Sequence, residues 1–212
     1  MNIVQEQKIK ELKCKIADTN NGVDIYKHEL KHLDAQFISM LKLKEADRYI
    51  IQNDYRSANV CLSEAIELYK DNYAAYYMRA YVNYENRNYD KVINDCTLMI
   101  NKNYSVDMLT VYWMRADAYE KMGENVLAID DYSKMIRLNP QYENIYIVRG
   151  MCFVKEREYI KAMNDFNEQI KMDPNSGIAY FARGLLHKIL GNYNLAKKDF
   201  DDAERLGYTG PL

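Results

Sequence analysis

Apolar residues recur along most of the chain at the spacing of one helix face, in pairs of stretches. Tyr112, Ala116 and Tyr119 lie at i, i+4 and i+7, one side of a helix. Gly123 follows and can take the left-handed backbone of a helix stop. Ala128, Ile129, Tyr132, Met135, Ile136 and Leu138 then mark a second amphipathic helix, which Pro140 cannot extend. Ala116 and Ala128 are small enough to let the two helices approach closely. The pattern predicts a helix–turn–helix unit whose apolar side is buried only by stacking on neighbours.

The unit recurs. Tyr76-Tyr77-Met78-Arg79-Ala80 aligns with Tyr112-Trp113-Met114-Arg115-Ala116, Tyr146-Ile147-Val148-Arg149-Gly150 and Tyr180-Phe181-Ala182-Arg183-Gly184. Successive arginines keep an almost constant spacing, with the first interval slightly longer than the next two. Val92, Ala128, Ala162 and Ala196 recur further on, each followed at i+4 by Cys96, Tyr132, Phe166 or Phe200. Asn139-Pro140 and Asp173-Pro174 close two of the units. A period of roughly 34 residues is the mark of a helical repeat array.

A second regularity runs across the paired helices. Asp95, Asp131, Asp165 and Asp199 each stand at i+16 from Arg79, Arg115, Arg149 and Arg183. An antiparallel hairpin brings those positions opposite one another, which predicts four Arg–carboxylate pairs with fork geometry. A ladder of arginines for an acidic ligand is the rival, but an Arg turned to its own partner helix cannot also face a groove. The first unit breaks the rule with Glu45 and Cys61.

These features resemble the tetratricopeptide repeat, whose unit carries an aromatic, a small residue, an aromatic, Ala, an aromatic, Ala and Pro in that order. Tyr112, Ala116, Tyr119, Ala128, Tyr132, Met135 and Pro140 match that order; Tyr146, Gly150, Phe153, Ala162, Phe166 and Pro174 match it again; Tyr180, Gly184, Ala196, Phe200 and Ala203 match a third time. Asn83, Gln169 and His187 depart from it, and Lys42 replaces the leading aromatic of the first unit. The resemblance implies an all-α, right-handed superhelical solenoid of about five repeats, near 39–72, 73–108, 109–142, 143–176 and 177–210. It implies a tetratricopeptide domain over 39–212 and a function in protein–protein interaction.

Residues 1–38 do not fit the period. Ile9, Leu12 and Ile16 give one helix stripe over 2–18, Thr19-Asn20-Asn21-Gly22 reads as a turn, and Ile25, Leu30, Leu33 and Phe37 give a second helix. This N-terminal helical hairpin is expected either to cap the first repeat or to dimerise, as in the secretion-type chaperones that this size and architecture resemble.

In the family the first helices line a concave groove for peptides or helices. By register, the groove-facing residues here are Tyr77, Trp113, Ile147 and Phe181, then Tyr81, Asp117, Met151 and Leu185. Met78, Met114, Val148 and Ala182 sit beside them. Aromatic and Met side chains suit an apolar peptide or helix; the plainer alternative is that they pack between neighbouring first helices. Family members that clamp a terminal carboxylate use Lys, Asn and Arg where this chain has Leu43, Asp47, Met78, Thr110 and Met114, so no clamp is expected.

The chemistry left over is sparse. His28-Glu29-Leu30-Lys31-His32 is an H-E-x-x-H pattern, which on a helix can bind zinc and activate water. Lys27 and Lys31 beside it disfavour a cation, no third ligand stands out beyond Glu45 or Asp47, and a solvated helix face is the simpler reading. No phosphate-binding or nucleophile-elbow motif occurs, so no catalytic residue, metal or cofactor is expected. His187 falls at a core position and reads as packed.

Charge and composition narrow the partner. With 29 Lys plus Arg against 31 Asp plus Glu, the surface lacks the positive excess that a non-specific nucleic-acid binder needs. The chain has no apolar run of about 18 residues, the length a membrane helix requires. No signal peptide is apparent and mean hydropathy is −0.52, so no membrane partner is expected. Cys14, Cys61, Cys96 and Cys152 form no CxxC and read as buried free thiols of a cytoplasmic protein. The expected partner is a protein or peptide, with a homodimer through the N-terminal helices as a further option.

Overall fold

The computed structural model describes residues 7–11, 23–103 and 107–208, and every regular element among them is helical. The chain divides into two compact units, Met1–Tyr104 and Ser105–Leu212. The first unit holds α1 (Val23–Ile51), α2 (Tyr55–Leu68), α3 (Tyr73–Glu85) and α4 (Tyr89–Asn101). The second holds α5 (Met108–Lys121), α6 (Asn125–Leu138), α7 (Ile145–Lys155), α8 (Tyr159–Met172), α9 (Gly177–Ile189) and α10 (Tyr193–Arg205). These are the helix pairs that the repeat period predicts, an all-α helical-repeat architecture.

The N-terminal region differs from expectation. α1 runs unbroken for 29 residues, through residues 38 and 39, where the sequence suggested a boundary. No Gly or Pro falls between Val23 and Ile51, so nothing ends the helix. Ser39 is buried in it, donating to the Ala65 carbonyl at 2.7 Å and accepting from Asn72 Nδ2 at 2.7 Å. Asn72 also caps α3 by accepting from the Ala75 amide. These bonds tie α1 at Ser39 to α2 and to the cap of α3. Of the expected helix over 2–18, residues 7–11 are helical; the turn at 19–22 and Cys14 lie outside the described residues.

The turn inside each repeat is built one way. Asn53, Arg87, Gly123, Arg157 and Gly191 all have positive φ, between 57° and 82°. Gly123 donates its amide to the Glu120 carbonyl and Glu124 to the Tyr119 carbonyl, the double closure of a left-handed helix end. Arg157 and Glu158 repeat it on Val154 and Phe153. The next helix starts at once, with Asp54, Asn88, Glu124, Glu158 and Asn192 at its N-cap. Only two of these five left-handed residues are glycine, so three stops carry no glycine signal.

Close helix approach follows from the small residues. A Cβ on Gly150 would lie 2.5 Å from the Phe166 ring, and one on Gly184 would lie 2.7 Å from the Phe200 ring. Tyr132, Met135, Ala116, Ala128, Ile145 and Cys152 form one core of the second unit. Ile147, Phe153, Ala162, Phe166, Ala179, Ala182 and Leu186 form another. Each large side chain buried in this way contributes roughly 1.5–3 kcal/mol. In the first unit, Leu62, Val82, Val92, Cys96 and Met99 are buried alongside Ala58, Ala65 and Ala80.

Candidate partner-binding surfaces

The four predicted ion pairs are present and forked. Arg79 Nε and Nη2 donate to Asp95 at 2.9 and 2.7 Å. Arg115 meets Asp131 at 2.7 and 2.8 Å, Arg149 meets Asp165 at 2.9 and 2.7 Å, and Arg183 meets Asp199 at 2.8 and 2.7 Å. Hydrogen bonding to Asp95 and Asp199 holds the Arg79 and Arg183 guanidiniums above the usual range. Aromatic rings flank the forks: Arg115 lies over Tyr112 and Tyr119, and Arg149 over Tyr146 and Phe153. Asn83 and His187 occupy the register positions of that second ring in the repeats of Arg79 and Arg183. His187 Nε2 instead lies 3.9 Å from Asp199 Oδ2.

Each of three forks also reaches backward. Nη1 of Arg79 donates to Ser63, that of Arg149 to Ser133, and that of Arg183 to Asn167, each partner at i−16. Sequence reading missed these acceptors, although the same offset taken backward would have found them. The guanidiniums are therefore held within the scaffold, each turned to the second helix of its own repeat.

The predicted groove residues separate by burial. In the first unit, Tyr77 on α3 is half-buried and Tyr81 is 41% exposed. In the second unit, Trp113 and Asp117 on α5, Met151 on α7, and Phe181 and Leu185 on α9 are half-buried. Ile147 departs from expectation. It is 4% exposed, packed with Ala179, Ala182 and Leu186, because the small side chains of α9 let that helix close over it. Met114 and Ala182 are buried too. Asp117 lies 3.9 Å from Lys121. The Phe181 ring packs at a tilt against those of Phe200 and Tyr208, with ring centroids 5.5 and 5.1 Å away.

The H-E-x-x-H segment lies on α1. Glu29 and His32 are exposed, His32 Nε2 is 2.9 Å from Gln36 Nε2, and its ring meets Tyr69 edge-on; the His28 side chain lies outside the described residues. Among the described residues no three His, Cys, Asp or Glu gather to hold a metal ion. Cys61, Cys96 and Cys152 are buried, and none of them is in a disulfide. Burial, with Glu120 nearby, pushes the Cys152 thiol up to about 12, and burial likewise raises Cys61 and the Tyr132 phenol. No described helix is long and apolar enough to cross a membrane.

Comparison with known proteins gives a consistent picture. Tetratricopeptide repeat models match residues 43–91 and, in three successive copies, 109–142, 143–176 and 178–206, more than half of the chain. No curated protein matches the sequence. Among solved structures, MamA from Desulfovibrio magneticus RS-1 (residues 41 to its end) is 12% identical with a TM-score of 0.73, covering 82% of this chain and 97% of its own. A tetratricopeptide repeat protein from Parabacteroides merdae ATCC 43184 is 20% identical with a TM-score of 0.70, covering 78% and 65%. YrrB, described as a TPR protein with an unusual peptide-binding site, is 19% identical with a TM-score of 0.68, covering 78% and 84%. At these identities the likeness is one of fold.

Proposed function

The chain belongs to the tetratricopeptide repeat family, and from that premise we propose that it is a non-catalytic scaffold whose first helices hold an apolar peptide or helix of a protein partner. The observation that carries the reading is a division of labour among side chains. The arginine forks tie first helices to second helices, while Tyr77 and Tyr81 in one unit, and Trp113, Asp117, Met151, Phe181 and Leu185 in the other, keep solvent-accessible surface. Aromatic and Met side chains give large contact area at low entropic cost. Ile147 is left out of the contact set because α9 covers it. The peptide-binding site named for YrrB supports the class of ligand by analogy of fold.

A pull-down with wild-type and Trp113→Ala bait tests the reading. A partner held by the first and lost from the second is expected, together with a shift in Trp113 emission on binding. Equal recovery by both baits would reject the surface.

A second reading, a chaperone-like dimer through the N-terminal helices, draws support from α1, where Ile38 and Leu41 are exposed. Light scattering of an Ile38→Glu/Leu41→Glu chain tests it: a dimer that falls to a monomer supports it, and an unchanged mass rejects it.

A further inference from the structure

An open cavity of about 540 Å³ lies on the α9–α10 hairpin of the second unit. Phe181, Ala196, Phe200 and Tyr208 form its floor, and Tyr193, 70% exposed, stands at its mouth. Lys188, Lys197, Asp201 and Glu204 line its rim. The same surface exists one repeat earlier, where its contents are visible. Ile147, Ala162 and Phe166, one period before Phe181, Ala196 and Phe200, enclose Ala179, Ala182 and Leu186 of α9. A helix with two small residues and a branched one, at i, i+3 and i+7, is what this floor accepts.

The rim changes between the two copies. Val154, Met163 and Ile170 pack against that core in the earlier copy, and their counterparts are Lys188, Lys197 and Glu204. Ala162 and Phe166 recur as Ala196 and Phe200, Ile147 gives way to Phe181, Tyr208 is added to the floor, and the surround becomes charged, which suits a partner that arrives from water rather than a helix buried permanently. The charges are also ordered. α9 runs antiparallel to α8, so its N-terminus lies toward the end of α8 and its C-terminus toward the start. A helix seated likewise on α10 would put its positive end toward Asp201 and Glu204 and its negative end toward Lys188 and Lys197, complementing its dipole at both ends.

We propose that the α9–α10 end face docks an amphipathic helix of a protein partner, antiparallel to α10, through a small–small–branched stripe and an acidic last turn facing Lys188 and Lys197. This surface lies beyond the first-helix stripe, with which it shares Phe181 alone.

The probe is a dye-labelled, helix-stapled peptide copying residues 176–190, with either lysine or glutamate at its last-turn lysine position, titrated into the full chain by anisotropy. The glutamate form is expected to bind saturably and about five-fold tighter than the lysine form, with Lys197→Glu in the protein reversing that order. Tyr193→Ala is expected to weaken both forms about three-fold or more. Melting curves show whether each variant is folded; if Tyr193→Ala is not, the charge reversal at Lys197 decides. Absence of saturable binding by either form, or binding indifferent to Lys197→Glu, overturns the proposal. So does self-association that disappears in a folded Tyr193→Ala chain, which would make a second copy the occupant. Neither result touches Trp113, so the first-helix surface stands or falls separately.

Discussion

The first and fourth repeats use the same positions for opposite kinds of electrostatics. In the fourth, Tyr146 covers the Arg149–Asp165 fork, whose side chains are 18% and 8% exposed. In the first, the equivalent positions are Lys42, Glu45 and Cys61. Lys42 bridges Glu45 at 3.1 Å and Glu64 at 2.7 Å, with these side chains 31%, 36% and 45% exposed. Ion pairing survives the exchange, but its consequences do not. A screened lysine between two acids stabilises little, whereas a half-sunk fork leaves a desolvated charge behind when one partner is removed. The first repeat leans instead on the Ser39–Asn72 link and the unbroken α1.

The contrast is sharpest under truncation. Arg149→Ala is expected to lower stability by roughly 2–4 kcal/mol, with Asp165 left buried and unpaired, and Lys42→Ala to shift the denaturant midpoint by no more than its error. Equal losses at the two sites would break the comparison.

Alkaline titration comes next in size. Burial keeps the Cys152 thiol protonated up to about 12, well above the ordinary thiol, so between pH 9 and 12 the folded state holds a proton that the unfolded chain releases. Stability then falls as pH rises through that window, and Tyr132 pulls in the same direction. Denaturant midpoints at neutral pH and near the top of the window check this. A Cys152→Ala chain is expected to lose less over the same interval than the wild type.

The smallest effect concerns the turns. Arg157 takes a left-handed backbone at a steric cost that glycine avoids, so Arg157→Gly is expected to stabilise by roughly 0.5–1 kcal/mol. Asn53 tolerates the same conformation better, so Asn53→Gly is expected to gain less. Paired thermal melts distinguish the two.

What the sequence disclosed follows from how local each signal is. The helix pairs and the four forks were legible because a repeat period and a fixed Arg–Asp offset depend on the backbone alone. The stops at Asn53, Arg87 and Arg157 were hidden because the left-handed turn there is closed by backbone hydrogen bonds and carries no glycine. Ile147 looked like a groove residue by register; only the small face of α9, which lets that helix settle on it, takes it out of reach. The length of α1 was written in the absence of any Gly or Pro between Val23 and Ile51, while the repeat period itself fades before residue 39. The charged rim around Phe181 and Phe200 becomes visible only when the last repeat is compared position by position with the one before it.

The backward bonds of Arg149 to Ser133 and of Arg183 to Asn167 join what the hairpins alone would keep separate. A guanidinium held by its own repeat and by the preceding one transmits a local opening to its neighbour. Under mechanical load, α5 through α10 should therefore yield in blocks of more than one repeat, and amide exchange along those helices should share a common opening free energy rather than decline stepwise from one end.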